Sequence, residues 1–369
     1  MSKLQLATVF SGIGAIEFAL KRLKIDYDIV FACDNGEREI EYDYDKEMEN
    51  IHNLNSIDAK KIYVDGLYLN KTRKTNFVQK SYLANYPECP ENRFFQDIRL
   101  LDGTDFRGKV DLFVGGSPCQ SFSSVGFQQG LDDARGTLFF EYARLISEIK
   151  PKVFIYENVR GLFNHDNGNT WEVIKGIFNN LGYHISYDVL NAIDFGVPQN
   201  RRRLFVVGTL EDSCFDLTKL QKKELSFKMQ DFLIENCDYG YFKNINGMIS
   251  IEEKKGVCPE KYILTPKLYN YVMKGGTKSF YQKPVIDLPV ARTLLKTMGN
   301  RHRAGVDNYV TVNGMVRMLT EREAHRLMGF TDDYMIVVSR CQAYKQAGNS
   351  IVVDVLIAII NELIKYKLM

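Results

Sequence analysis

The stretch Gly115-Gly116-Ser117-Pro118-Cys119-Gln120-Ser121-Phe122-Ser123 limits what this chain can fold into more than any other. It follows Val110-Asp111-Leu112-Phe113-Val114, an apolar run of the length of a buried strand. Two glycines allow a sharp turn there, and Pro118 stiffens the residue ahead of the cysteine. A strand, a turn and a presented thiol together describe an α/β fold with its chemistry at the carboxyl edge of a sheet. A lone cysteine is ordinarily a small buried hydrophobe. A reactive one needs special surroundings, and this setting supplies them.

A similar unit opens the chain. Leu6-Ala7-Thr8-Val9-Phe10 reads as a strand, Ser11-Gly12-Ile13-Gly14-Ala15 as a turn, and Ile16 to Leu23 as a helix. Close backbone approach at glycines, ahead of a helix N-terminus, is how nucleotide-like cofactors are held. Gly-x-Gly alone serves equally well as a packing turn. The next strand, Tyr27 to Cys33, ends in Asp34, about 20 positions past that turn, where an acid can accept from ribose hydroxyls. Arg93-Phe94-Phe95 leads to Asp97, either an acceptor for an adenine amino group or a helix cap. Val153-Phe154-Ile155-Tyr156 is a buried strand ending at Glu157-Asn158-Val159, so Cys119 and Glu157 can face one cleft of a parallel sheet. Leu138 to Ile149 and Trp171 to Leu181 read as helices, Tyr183 to Leu190 and Leu204 to Gly208 as strands. In Gln199-Asn200-Arg201-Arg202-Arg203 the period of two lets Arg201 and Arg203 share a face. That face is either a clamp for phosphate or carboxylate or a solvated basic edge.

Other stretches differ in character. Residues 36–78 carry an acidic run followed by Lys71-Thr72-Arg73-Lys74, and an inserted, surface-exposed, partly helical excursion with a solvated charged face is expected. Ser124 to Gly136 is a glycine-bearing loop of the kind that moves or binds. From 214 to 290 periodicity weakens and lysines interleave with tyrosines, which suits a small nucleic-acid-contacting domain as well as an ordinary surface. Leu319 to Gly329 reads as a helix capped by Thr320 with Glu323 as box partner. The apolar stretch Ile351 to Ile364 is too short, and too interrupted by Asp354, Asn361 and Glu362, to span a bilayer; a buried helix is expected. A chain of 369 residues accommodates one large domain and a smaller one. Its net charge of +2 means that any DNA site must come from local clustering. Seven dispersed cysteines without a Cys-x-x-Cys pair, and five scattered histidines, argue against both a metal site and a disulfide framework. Without a secretory apolar core at the N-terminus, the expected location is the cytoplasm.

Five separated segments resemble one family in the right order. Phe10-Ser11-Gly12-Ile13-Gly14, Gly116-Ser117-Pro118-Cys119-Gln120, Glu157-Asn158-Val159, Gln199-Asn200-Arg201-Arg202-Arg203 and Gln346-Ala347-Gly348-Asn349-Ser350 are similar to motifs of bacterial-type DNA cytosine-5 methyltransferases. The likeness spans the chain except for 36–78 and most of 214–290. It implies an α/β, doubly wound, Rossmann-like sheet of the S-adenosylmethionine-dependent methyltransferases. It also implies a catalytic domain at 1–212, a target-recognition domain at 213–290, and a return segment at 291–369 whose last helix completes the catalytic domain. The implied activity is methyl transfer from S-adenosylmethionine to carbon 5 of cytosine within a short double-stranded DNA sequence.

The family's roles carry over by position. Cys119 would attack carbon 6, Glu157 would serve ring nitrogen 3, and Arg203 with Arg201 would orient the base. Phe10 would stack on adenine, and Ser11, Gly12, Ile13, Gly14 and Ala15 would cradle the methionine part. Asp34 would take the ribose, Asn35 would stand beside the adenine, and Asp97 and Ile98 would lie at the adenine edge. Gly116, Pro118, Leu138, Asn349 and Ser350 would complete the pocket. Gln120, Ser123 and Arg135 would contact DNA as the loop closes on an extruded base. Three positions depart from the pattern: Asn35 stands where an aromatic often covers adenine, Asp34 where glutamate is more frequent, and Phe127 where the loop is often basic. The expected partners are double-stranded DNA and a functionally paired restriction endonuclease held in no stable complex, with the protein a monomer and no metal involved. The transfer-RNA branch of the fold carries a Cys-Phe-Thr tripeptide that this chain lacks. An inactive DNA-binding regulator has no need of a nucleophile and an acid at strand ends. A nicotinamide oxidoreductase would need the missing third glycine.

Overall fold

A computed structural model of the chain describes residues 3–118, 138–245, 248–253, 256–277, 280–281, 283–299, 302 and 305–369. The first half alternates strand and helix: β1 (Leu4–Val9), α1 (Ala15–Leu23), β2 (Tyr27–Cys33), α2 (Tyr44–His52), α3 (Ile57–Lys71), α4 (Phe77–Asn85), β3 (Phe94–Phe95) and β4 (Leu112–Gly115). There follow α5 (Leu138–Ile149), β5 (Val153–Val159), α6 (Asn169–Asn180), β6 (His184–Asn191), β7 (Gln199–Asn200) and β8 (Arg202–Thr209). One seven-stranded sheet results, in the order β3-β2-β1-β4-β5-β8-β6. Pairing is parallel from β3 to β5, while β8 runs antiparallel to both β5 and β6. Strand order reverses between β1 and β4, and open α/β sheets bind their ligands at the carboxyl ends of such a pair.

Strand alternation decides which residues meet which helices. Leu6, Val114, Ile155 and Phe205 face one apolar layer that includes α1, and Ala7, Val9, Phe113 and Phe154 face the other, covered by α5 and α6. Both faces are dry, which is why these strands read as continuous apolar runs. β1 ends at Val9 instead of continuing through Phe10, because Phe10 turns into the left-handed region at φ +51°. The 36–78 excursion is more ordered than a solvated charged face. Its helices α2 and α3 enclose an apolar cluster of Ile40, Met48, Ile51, Val64 and Tyr68 closed by Leu100. Of its acids, Glu47 is buried and bonded by Tyr63, and Glu39 pairs with Arg99.

The remaining elements are β9 (Cys237–Ile245), β10 (Met248–Glu253), α7 (Pro266–Val272), β11 (Gly276–Thr277), β12 (Phe280–Tyr281), β13 (Ala291–Arg292), β14 (Tyr309–Val312), β15 (Met315–Met318), α8 (Glu321–Arg326), α9 (Arg340–Asn349) and α10 (Val353–Lys365). β13 pairs with β7 and brings the chain back to the strand ends. α8 begins with the expected box: Glu323 N donates to Thr320 Oγ1 at 3.2 Å, and Thr320 N to Glu323 Oε2 at 2.6 Å. α10 lies against α1, where the Arg22 guanidinium meets both Asp354 oxygens at 2.9 and 3.0 Å and Gly329 O at 2.9 Å. Both side chains are almost wholly buried, so neither can lose the other without leaving a desolvated charge.

Candidate active site

The turn after β1 opens a cleft. Gly12 at φ +55° and Gly14 at φ +75° carry the backbone through the left-handed region, and a Cβ on Gly14 would sit 2.1 Å from the Tyr86 ring. The cleft is lined by Thr8 to Ile13, by Ala15 and Ile16, by Val114 to Gly116 and by Asn349 to Ile351. Its bare glycine backbone and the helix N-terminus behind it fit a nucleoside-bearing cofactor such as S-adenosylmethionine. Asp34 buttresses the turn: its Oδ2 accepts from Gly12 N at 2.9 Å and its Oδ1 from Gly36 N at 2.8 Å. Each oxygen keeps a lone pair for a further donor. Burial raises the pKa of this carboxyl, and the two amides work against the rise. Asn35 accepts from Glu37 N and donates to Glu39, and Ile98 is buried.

Leu138, like Phe10, packs against the α5–α6 apolar layer. Pro118 is exposed. Asp97 is a correction. Its Oδ1 accepts from Arg99 N at 3.0 Å and Nε at 2.9 Å; its Oδ2 accepts from Arg99 Nη2 at 2.8 Å, Tyr42 Oη at 2.9 Å and Tyr68 Oη at 3.0 Å. Five donors use the lone pairs of one carboxylate, which leaves no acceptor for an adenine amino group. Asp97 therefore anchors the 36–78 insertion, whose Tyr42 and Tyr68 rings are covered by Arg99 and Arg38 at 5.2 and 4.9 Å.

Beyond β4 the chain passes against the end of β5. A Cβ on Gly116 would lie 2.6 Å from Glu157 O and 3.0 Å from its Oε2, so only glycine lets the two segments approach this closely. Ser117 Oγ bonds Tyr156 Oη at 2.7 Å, and Asn158 Nδ2 donates to Ser117 O at 3.1 Å. These bonds hold the backbone leading into Cys119. Cys119, Gln120, Ser123, Phe127 and Arg135 lie outside the described residues.

Glu157 Oε1 meets Arg203 Nε at 3.2 Å. Desolvation raises the Glu157 pKa, with Arg203 and then Arg201 opposing it. Arg201 does not share the Arg203 face. It lies in the break between β7 and β8, is buried, and donates to Leu294 O at 3.1 Å, Gly348 O at 3.0 Å and Ser350 O at 2.8 Å. Strand alternation fails across that break, and Arg201 binds the return segment instead of a base. Gln199 does similar work, donating to Leu327 O and accepting from Leu294 N.

Sequence reasoning missed Glu37. Its carboxylate receives Lys345 Nζ at 2.7 Å and Asn349 Nδ2 at 3.3 Å, bridging the turn after β2 to the far wall of the cleft. Nothing local marks it within the acidic run. Among the described residues no cluster of histidine, cysteine and acid could hold a metal.

The sheet order, the glycine turn and the cleft at the switch point define an S-adenosylmethionine-dependent methyltransferase fold. The model of the C-5 cytosine-specific DNA methylase family matches residues 68–365. The Type II methyltransferase M.SsoII of Shigella sonnei is 36% identical over 296 residues, covering 78% of this chain and 71% of its own. M.HhaI of Haemophilus parahaemolyticus, another Type II methyltransferase, is 36% identical over 286 residues, covering 76% and 82%. Among solved structures, the S. pombe Dnmt2 methyltransferase superposes with a TM-score of 0.68 over 99% of both chains at 17% identity. A putative DNA modification methyltransferase from an E. coli prophage does so with 0.62 over 99% of both at 21%. Those two show the likeness of fold. The chain belongs to the C-5 cytosine-specific DNA methylase family. Membership implies S-adenosylmethionine as methyl donor and DNA as substrate.

Proposed function

We propose that the protein methylates carbon 5 of cytosine within one short double-stranded DNA sequence, with Cys119 as nucleophile and Glu157 and Arg203 as its partners on the base. The observation that carries this assignment is the close approach of Gly116 to Glu157, which brings the backbone three residues before Cys119 against the partly buried acid. Carbon 5 of cytosine is a poor nucleophile until carbon 6 accepts a thiolate. The Cys119 sulfur forms that bond, and Glu157, whose raised pKa favours its protonated form, donates to ring nitrogen 3. Arg203 holds Glu157 and the base edge together. S-adenosylmethionine, when bound, supplies the methyl group to carbon 5. Transfer of the carbon 5 proton to a solvent-borne base, with return of the nitrogen 3 proton to Glu157, then expels the Cys119 thiolate and restores the ring.

Phe10 to Ala15, Asp34, Asn349 and Ser350 are the residues that fit the cofactor. Gln120, Ser123 and Arg135 are assigned to the DNA around an extruded base, and residues 213–290 to reading the sequence in the major groove. The proposal extends to a functional pairing with a restriction endonuclease held in no stable complex, and to action as a monomer; the Type II naming of the relatives supports the pairing alone. Action on DNA fits a cytoplasmic location. Bisulfite sequencing of unmethylated plasmid, after incubation with the protein and S-adenosylmethionine, tests the reading. Protected cytosines within one short sequence, lost in Cys119→Ser, are the expected result. Protection of transfer RNA in place of plasmid would transfer the activity to RNA, and protection of neither would remove it.

A further inference from the structure

Several arginines of this chain are met by carboxylates: Arg22 by Asp354, Arg93 by Asp58, Arg99 by Asp97, Arg144 by Glu141 and Glu148, Arg317 by Glu235 and Glu323, and Arg326 by Asp332. Among the described residues Arg160 and Arg202 meet none, as is also true of Arg38, Arg73, Arg107, Arg201, Arg292 and Arg340, but these two share one wall beside the acid of the site. Arg160 directly follows β5, three positions after Glu157, and Arg202 opens β8 beside Arg203. Both line one open, polar concavity of about 570 Å³ whose wall also includes Arg203, Asn200 and Thr293. Thr293 Oγ1 donates to Asn200 O at 2.6 Å, so the hydroxyl braces the wall and the two guanidinium groups remain its unsatisfied donors. Arg203 is paired with Glu157, so Arg160 and Arg202 are the local excess of positive charge on this wall, and exposed planar guanidinium forks match phosphate oxygens.

We propose that Arg160 and Arg202 clamp the phosphodiester backbone flanking the extruded nucleotide. The inference rests on the DNA reading of this site. A base that enters to meet Glu157 and Arg203 leaves its own phosphates at the rim, where Arg160 and Arg202 stand. Neither arginine touches the base. Each adds one phosphate contact, holding the strand in the extruded position while the chemistry proceeds further in.

Arg160→Gln, Arg202→Gln and the double variant test this, with a duplex bearing the site that bisulfite mapping identifies. A lost phosphate contact lowers the slope of log affinity against log salt by about 0.9. Each single variant is therefore expected to lose about one unit of slope and the double variant about two, with KM for DNA raised and kcat and S-adenosylmethionine affinity nearly unchanged. Arg160→Lys and Arg202→Lys keep the charge and should retain most of the slope. An unchanged slope in the double variant overturns the proposal, as does a fall in kcat at unchanged DNA affinity, which would put the arginines at the chemical step. If the wild-type protein methylates no DNA, the function reading has failed by itself, and the slopes measured on an arbitrary duplex, which needs no mapped site, still decide whether the two arginines contact phosphates.

Discussion

Glu17 is buried completely on the first turn of α1, beneath the cofactor turn. Its Oε1 accepts from Tyr82 Oη at 2.5 Å and Thr8 Oγ1 at 3.2 Å, while Oε2 has no partner. Desolvation pushes its pKa up to about 7 against the pull of those hydrogen bonds. In the unfolded chain the same carboxyl ionises near ~4.3. Between these two values the folded protein keeps a proton that the unfolded chain has lost. Stability is then greatest below the unfolded value and falls as pH rises toward 7. Glu17→Gln keeps the shape and removes the titration. Urea unfolding from about pH 5 to about pH 8 should show the wild type losing roughly 1–3 kcal/mol relative to the variant. Parallel curves would mean that Glu17 titrates alike in both states. Sequence alone could not single out this residue: it lies on the buried face of α1 like the apolar residues around it, and its partner Tyr82 is 65 positions away.

At the scale of elements, the arginine run shows where local pattern stops being informative. Strands whose signal is a continuous apolar run are legible: Tyr27 to Cys33 and the start of β5 occur where their residues place them. The Thr320–Glu323 box is legible too, because both partners lie within one helical turn. Arg201 and Arg203 look equivalent in an unbroken strand, but Arg201 falls between two strands and its guanidinium gathers three carbonyls of the return segment. Arg201→Met should thus cost on the order of 3–5 kcal/mol, since three buried carbonyls lose a charged donor. It should also weaken cofactor binding by releasing Asn349 and Ser350. Arg203→Met should unfold in urea almost like the wild type and lose roughly a hundredfold or more in kcat, because its partner is the acid of the site. Equal stability losses in the two variants would restore the symmetric reading of the run.

Across the whole molecule, the two ends of the chain meet around the cofactor cleft. Arg22 and Asp354 join positions 332 apart, Ser81 and Gln346 join positions 265 apart, and Glu37 and Asn349 join positions 312 apart. Such separations leave no periodic trace, which is why the Glu37 bridge, the capture of Asp97 by Tyr42 and Tyr68, and the order within 36–78 are not legible in sequence although the sheet is. The Glu37 bridge ends on Asn349, which lines the cofactor cleft. Lys345 and Asn349 tie it to α9 and Lys296 approaches at 3.8 Å; against desolvation, the two lysines and the Asn349 hydrogen bond hold the Glu37 carboxyl below its usual range. The bridge is about half exposed, so it is worth only ~0.5–1 kcal/mol and is open to screening. Glu37→Gln should accordingly speed S-adenosylmethionine release about two- to fivefold in stopped-flow at low ionic strength. The difference from wild type should vanish near ~1 M salt, where the Debye length has fallen to about 3 Å. Equal release rates at low salt would mean that the cofactor leaves by a path the bridge does not cross, and a difference that survives high salt would make the bridge a matter of packing instead of charge.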